Sequence, residues 1–208
     1  MPSDQKEIYY LLAPNREAAE TSPYYEAFAA RKYEVLFFYD AWDEFVMDNL
    51  RTFEEKTIKS AERAEISIDQ PTKKEGELTT EQAESLGKWI KDGLKERVNN
   101  VRASKRLVES PAVVTESDGG LTTSMRKILK AMRKEGSPDM EPRYDLEINP
   151  AHPIIIKLDQ IRNTDPALAE KVAEQIFDNA RVAAGVLEDP RTMLRRLNEL
   201  LEKVLAVK

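Results

Sequence analysis

Residues 165–208 read DPALAEKVAEQIFDNARVAAGVLEDPRTMLRRLNELLEKVLAVK, and this stretch decides the architecture of the C-terminal half. Asp165-Pro166 and Asp189-Pro190 each pair a capping carboxylate with a proline at the first helical position, so two helices begin there. Gly185 marks the end of the first. That helix carries Leu168, Val172, Ile176, Ala180, Ala183 and Leu187. The second carries Met193, Leu194, Leu197, Leu200, Leu201, Val204 and Leu205 on one broad face, with Arg195, Arg196, Glu199, Glu202 and Lys203 opposite. Two such helices on a short link make a hairpin whose apolar face must be covered. The pattern leaves two solutions open: packing onto the chain's own core, or onto a second copy in a two-fold four-helix bundle.

The chain has 208 residues, enough for one large or two small domains. Its 41% hydrophobic content supports a core, and its 34% charged content suits helices with wet outer faces. A net charge of −6 gives no electrostatic reason to expect nucleic acid as a partner. The absence of cysteine excludes disulfides, thiol chemistry and thiolate metal sites. No apolar run approaches a membrane span, and the N-terminus lacks the basic-then-apolar layout of a signal peptide. Strand-like sequence starts almost at once, at Ile8, so the chain reads as a piece of something longer.

Residues 8–13 and 34–39 are short, nearly continuous apolar runs rich in β-formers, as expected for strands covered on both faces. Helical sequence between them makes a βαβ unit, which predicts parallel strands. A helix follows from Asp43 with Phe45, Val46, Met47 and Leu50. Val46, Leu50 and Phe53 share a face, with Phe45 and Met47 to either side. Residues 65–68 add a short strand. Residues 70–78 contain proline, glycine and four charges without periodicity, and read as a linker. A capping box, Thr79 with Gln82, opens a helix striped by Ala83, Leu86, Ile90, Leu94 and Val98. Strand-like pieces follow at 98–107 and 112–115. After Asp118-Gly119-Gly120 comes a basic helix at 122–134, then an alternating, half-buried strand at 144–148. A helix at 154–162 leads into the hairpin. The predicted fold is α+β. A small αβα subdomain with a short parallel sheet precedes a mixed domain with a small antiparallel sheet, and a C-terminal hairpin closes the chain.

Chemistry is scarce. There is no glycine-rich phosphate loop, and His152 is the sole histidine. Beside Pro153 at a helix start it reads as a cap rather than a catalyst. One histidine and no cysteine argue against zinc. Asp43-Glu44 is an acidic pair at a helix start, explained by the macrodipole. An enzyme reading would rest on Asp40 and Asp43 near the C-terminal ends of the first two strands, where open parallel sheets place ligands. The helix at 122–134 places Met125, Ile128, Leu129 and Met132 at i, i+3, i+4 and i+7 among basic residues. Methionines suit surfaces that accept varied partners. The same stripe fits an ordinary core helix.

Several stretches together resemble the heat shock protein 90 chaperone family. They are Tyr9-Tyr10-Leu11-Leu12-Ala13-Pro14-Asn15-Arg16, Ser22-Pro23-Tyr24-Tyr25-Glu26, Glu34-Val35-Leu36-Phe37, Asp43-Glu44-Phe45 and Ser110-Pro111-Ala112-Val113-Val114. Leu146-Glu147-Ile148-Asn149-Pro150-Ala151-His152-Pro153, Glu188-Asp189-Pro190 and Arg196-Leu197-Asn198-Glu199-Leu200 continue the series. The match runs in order, weakens at the linker and at 117–142, and is nearest the bacterial (HtpG) and mitochondrial branches. The resemblance implies that residues 1–69 are the last αβα part of the middle domain, 70–78 a linker and 79–208 the C-terminal dimerisation domain. It implies a homodimer built on Ile176, Ala180, Met193, Leu194, Leu197, Leu200, Leu201 and Val204. It implies contact with unfolded or partly folded client proteins through Phe45, Met47, Met125, Ile128, Leu129 and Met132. ATP, magnesium and the catalytic arginine of the parent ATPase would lie upstream, leaving no cofactor or catalytic residue in this segment. A stress-response chaperone of the bacterial cytoplasm is implied, with the mitochondrial matrix as the alternative. A purely structural dimeric adaptor is the remaining reading.

Overall fold

The computed structural model describes residues 1–63, 76–115 and 143–206. The strand expected at 65–68, most of the linker and the helix at 122–134 lie outside the described residues. The chain is α+β, its described residues form two sheets, and it divides into two compact units. The first comprises residues 1–63 together with Lys105–Glu109. The second comprises residues 76–104, Ser110–Val114 and 143–206.

In the first unit, β1 (Ile8–Leu12) is central and parallel to β2 (Val35–Phe38), with Tyr9 opposite Val35 and Leu12 opposite Phe38. The parallel pairing follows from the intervening helical crossover, α1 (Arg16–Glu20) and α2 (Glu26–Ala30). Tyr9, Tyr10 and Leu11 are buried, and the Tyr9 ring lies 4.6 Å from that of Phe28. Burial, with Glu7 beside it, pushes the Tyr9 phenol up to about 12. Among the described residues β2 is an edge strand, and Leu36 is exposed, so β2 is not covered on both faces as its apolar run suggests.

The helix expected to run through Phe53 stops earlier. α3 spans Asp43–Asn49, and β3 (Thr52–Phe53) and β4 (Lys56–Ser60) then form a hairpin. β4 adds a third parallel strand beside β1, giving the order β2-β1-β4-β3. The reason is local: Glu54 and Glu55 both hold positive φ, 45° and 65°, which closes a two-residue hairpin loop instead of another helical turn. Left-handed backbone costs a residue with a Cβ roughly 1–2 kcal/mol, and Asn-Gly is the pair that such a loop prefers. Glu54→Asn with Glu55→Gly should therefore stabilise the chain by about 1 kcal/mol. A urea midpoint that stays put or falls would show that the glutamate side chains make contacts worth more than the strain.

In the second unit, α4 (Thr80–Leu94) opens with the expected reciprocal box. Thr79 Oγ1 accepts the Gln82 N–H at 3.2 Å, and Gln82 Oε1 accepts the Thr79 N–H at 2.8 Å. Its stripe of Ala83, Leu86, Ile90 and Leu94 is buried against β5 (Val98–Ala103). Gly87 permits the close approach, because a Cβ there would lie 2.9 Å from the Val101 carbonyl oxygen. The sheet order is β5-β7-β6, with β6 at Ala112–Thr115 and β7 at Tyr144–Ile148. The expectation of an antiparallel sheet is corrected here: β5 and β7 are parallel, Val98 opposite Tyr144 and Ala103 opposite Ile148. They are joined by a long excursion rather than a tight turn, so nothing local forces reversal.

β7 alternates as a half-buried strand would, yet all five residues are buried. Its carboxylates are satisfied in place. Glu147 accepts from Arg102 Nη2 and Ser104 Oγ, both at 3.0 Å, and Asp145 faces Asn100. Three helices follow: α5 (Pro153–Ile161), α6 (Pro166–Ala183) and α7 (Arg191–Ala206). Asp165 caps α6 through the Leu168 N–H. Gly185, at φ 64°, ends it with Gly185 N–H on the Val182 carbonyl and Val186 N–H on that of Arg181. α7 starts one residue later than Pro190, with Asp189 accepting the Arg191 N–H.

Candidate functional site

α3 turns its apolar stripe outward. Trp42 is 65% exposed, Val46 54% and Phe53 55%, with Tyr39 and Leu50 also exposed. Glu44 of α3 is buried, and its Oε1 accepts from the Tyr10 hydroxyl at 3.2 Å. Because that carboxylate points inward, the helix is anchored on its polar side and the large apolar groups face solvent. Phe45 and Met47 are half-buried, and the Phe45 ring packs 5.5 Å from Trp42. Sequence reading named Phe45 and Met47 but missed Trp42. Trp42, Phe45, Val46 and Leu50 follow helical spacing, and that spacing is the signal in the sequence for Trp42.

The second surface is on the terminal hairpin, and here the single broad face splits in two. Met193, Leu197 and Leu200 are half-buried. Leu194, Leu201, Val204 and Leu205 form an outward stripe at i, i+7, i+10 and i+11, and Val182 of α6 is exposed as well. Ile176 and Ala180 are already buried within the single chain. Arg196, assigned by periodicity to the solvated face, is buried. It donates to Glu174 at 2.6 Å and to Asp178 across the hairpin, and this pairing turns α7 so that four apolar side chains point out. Lys171–Glu199 and Lys203–Asp165 link the two helices further along.

Catalytic machinery does not assemble around the remaining candidates. His152 Nδ1 accepts the Ile154 N–H at 3.1 Å, capping α5 as expected. Asp40 Oδ1 accepts the Trp42 N–H at 3.0 Å and Asp43 Oδ2 faces the Asp40 N–H, so this pair builds a turn. A cleft of about 420 Å³ in the second unit is lined by Trp89, Ile90, Asp92, Lys95, Glu170 and Glu174, without a nucleophile paired to a base. Among the described residues no group of three or more His, Asp or Glu could hold a metal ion, and no helix is long and apolar enough to cross a membrane.

What the two surfaces belong to emerges from comparison with known proteins. The family profile described as Hsp90 protein matches residues 1–208. The chain is 38% identical over 208 residues to Chaperone protein HtpG of Desulfitobacterium hafniense, covering 99% of this chain and 33% of that protein. It is 40% identical over 215 residues to Heat shock protein 75 kDa, mitochondrial, of Rattus norvegicus, covering 99% and 30%. To the TNF receptor-associated protein 1 homolog, mitochondrial, of Dictyostelium discoideum it is 35% identical over 208 residues, covering 99% and 29%. The chain thus spans about a third of the length of these relatives. With one profile covering every residue and relatives at these identities on both branches, the chain belongs to the Hsp90 family.

Proposed function

We propose that this chain is the self-associating, client-holding portion of an Hsp90-type molecular chaperone that assists protein folding. The observation that carries the reading is the pair of outward apolar surfaces, one on α3 and one on α7, in a chain of this family. Contiguous exposed apolar groups mark interaction surfaces. In this reading residues 1–69 are the end of the middle domain, 70–78 a linker and 79–208 the dimerisation domain. The α6–α7 hairpins of two copies form a four-helix bundle centred on Leu194, Leu201 and Val204, with Leu197 and Leu200 beside them. Clients rest on Trp42, Phe45, Val46 and Phe53, with Met47 at the edge. The family resemblance adds Met125, Ile128, Leu129 and Met132, which lie outside the described residues. The bacterial cytoplasm is the proposed compartment and the mitochondrial matrix the alternative, following the two groups of relatives.

Following the family resemblance, ATP and magnesium are assigned to chain outside this segment, and this portion is read as non-catalytic. The enzyme reading at Asp40 and Asp43 loses its support, since both carboxylates serve the turn before α3. A structural adaptor without clients leaves the exposed Trp42 surface unexplained.

The test is Trp42→Ser with Val46→Ser and Phe53→Ser. Exposed positions usually change stability by within about 0.5 kcal/mol each, so the melting temperature should barely move. Affinity for a permanently unfolded probe, reduced α-lactalbumin, should fall about tenfold, the loss of about 1.4 kcal/mol of apolar contact. Unchanged affinity would remove α3 from the client surface.

A further inference from the structure

The cleft of about 420 Å³ lies wholly within the second unit, between the C-terminal end of α4 and the second and third turns of α6. Small-molecule sites usually measure roughly 300–1,000 Å³. The floor is apolar, since Ile90, Leu94 and Ala173 line it and are buried. The half-buried Trp89 adds an aromatic wall.

The charge around this floor is one-sided. Asp92 enters from α4, and Glu170 and Glu174 enter from α6 at i and i+4, on one face of that helix. Against the three carboxylates stands Lys95. Glu174 already receives Arg196 on Oε2 at 2.6 Å, whereas Asp92 and Glu170 make no ion pair among the described residues. The C-terminal end of α4 contributes the negative end of its macrodipole to the same place. A cation in the cleft would relieve this repulsion, and the face of an indole ring attracts cations as well. The carboxylates do not converge on a point: among the described residues no group of three or more could hold a metal ion. Negative charge spread around an apolar floor is complementary to positive charges separated by an apolar stem.

Gly93 adds an independent sign. It lines the cleft, its φ is not positive, and a Cβ there would meet nothing within 4 Å. Gly87 of the same helix is required by its contact with Val101, but neither packing nor backbone geometry requires Gly93. A helical glycine lowers helix stability, and at this position it keeps the cleft open.

We propose that the α4–α6 cleft is a binding site for a short aliphatic polyamine, with Asp92 and Glu170 receiving its ammonium groups and its methylene stem resting on the apolar floor beside Trp89.

The test is a fluorescence titration of the whole chain carrying Trp42→Phe, which leaves Trp89 as its one tryptophan. Spermidine should change the Trp89 emission saturably, and magnesium ion at equal charge should not. Asp92→Asn with Glu170→Gln should weaken spermidine binding at least about tenfold, because the charge-assisted hydrogen bonds are lost. Glu81→Gln with Glu84→Gln removes the same charge from exposed positions nearer the start of α4, so binding should stay unchanged. Gly93→Leu should block the cleft without lowering the melting temperature, and the carboxamide pair gives the same reading should that variant not fold. The absence of a saturable response, an equal response to magnesium, or an equal loss in the Glu81/Glu84 pair would overturn the proposal. Saturation by an arginine-containing tripeptide at lower concentration than spermidine would also overturn it, giving the cleft to a protein side chain.

Discussion

If the proposed two-fold assembly holds, Leu201→Asp combined with Val204→Asp should leave only a monomer of 23.8 kDa at micromolar concentration. Val204 is 69% exposed and Leu205 83% in the single chain, and Leu194, Leu201 and Val182 are about half exposed. Fully burying one such side chain contributes roughly 1.5–3 kcal/mol. In a two-fold interface each contact occurs twice, so the stripe supplies a large share of association energy and two aspartates per copy oppose it twice over. A weakening of at least about a hundredfold is expected, about 2.8 kcal/mol. Because both positions point away from α6, the melting temperature of the monomer should be little changed. Leu200→Asp is the contrast. Leu200 is half-buried, so that variant should lose stability along with association. Sedimentation velocity distinguishes the cases, and an unchanged dimer for the double variant would place the interface elsewhere.

Much of the frame was legible because single residues dictate it. Asp165-Pro166, Thr79 with Gln82, Gly185 and His152 each fix a helix end by one defined hydrogen bond or one special φ, and each does so in the structure. Parallel pairing of β1 and β2 followed from the crossover between them. What escaped was set by partners distant in sequence. β4 is parallel to β1 because its neighbour lies some fifty residues upstream, and Lys56–Ser60 is too polar to announce a strand. Glu44 and Arg196 look like solvated charges in their own helices. One is buried under Tyr10 and the other on Asp178, and each turns its helix so that the apolar face looks outward. The same limit applies to the candidate surfaces: amphipathic periodicity names an apolar face but cannot say whether the core or solvent receives it. Lys105–Glu109 shows no periodic signal at all, and its membership of the first unit rests on hydrogen bonds to residues over forty positions away.

Asp178→Asn should be the most destabilising conservative change in the second unit. Asp178 is 4% exposed, and three arginines reach it. Arg97 donates from Nη2 to Oδ1 at 2.7 Å, Arg181 donates from Nη1 to the same oxygen at 3.4 Å, and Arg196 donates to Oδ2. Arg97 and Arg181 also lie 4.8 and 5.6 Å from the centroid of the buried Phe177 ring, whose π face favours cations. The cluster therefore joins the start of β5, α6 and α7 through one carboxylate. Asparagine keeps the shape but removes the charge and puts a donor where an arginine donates. Removing one partner of a buried ion pair costs roughly 3–5 kcal/mol, because the others stay desolvated without compensation. For a chain of this size that corresponds to a drop of about 10 °C in melting temperature. Glu174 still holds Arg196, which keeps the loss toward the lower end of the range. The double variant Asp178→Asn/Arg196→Met should lose less than the sum of its parts, since an apolar side chain can fill the site once the carboxylate is gone. It should also associate poorly: without the Arg196–Asp178 pair nothing obliges α7 to bury its charged side, and the outward stripe of Leu194, Leu201 and Val204 can roll onto α6. Thermal melts and sedimentation on the single and double variants separate these effects. A loss below about 1 kcal/mol for Asp178→Asn would show the cluster to be a solvated surface network instead.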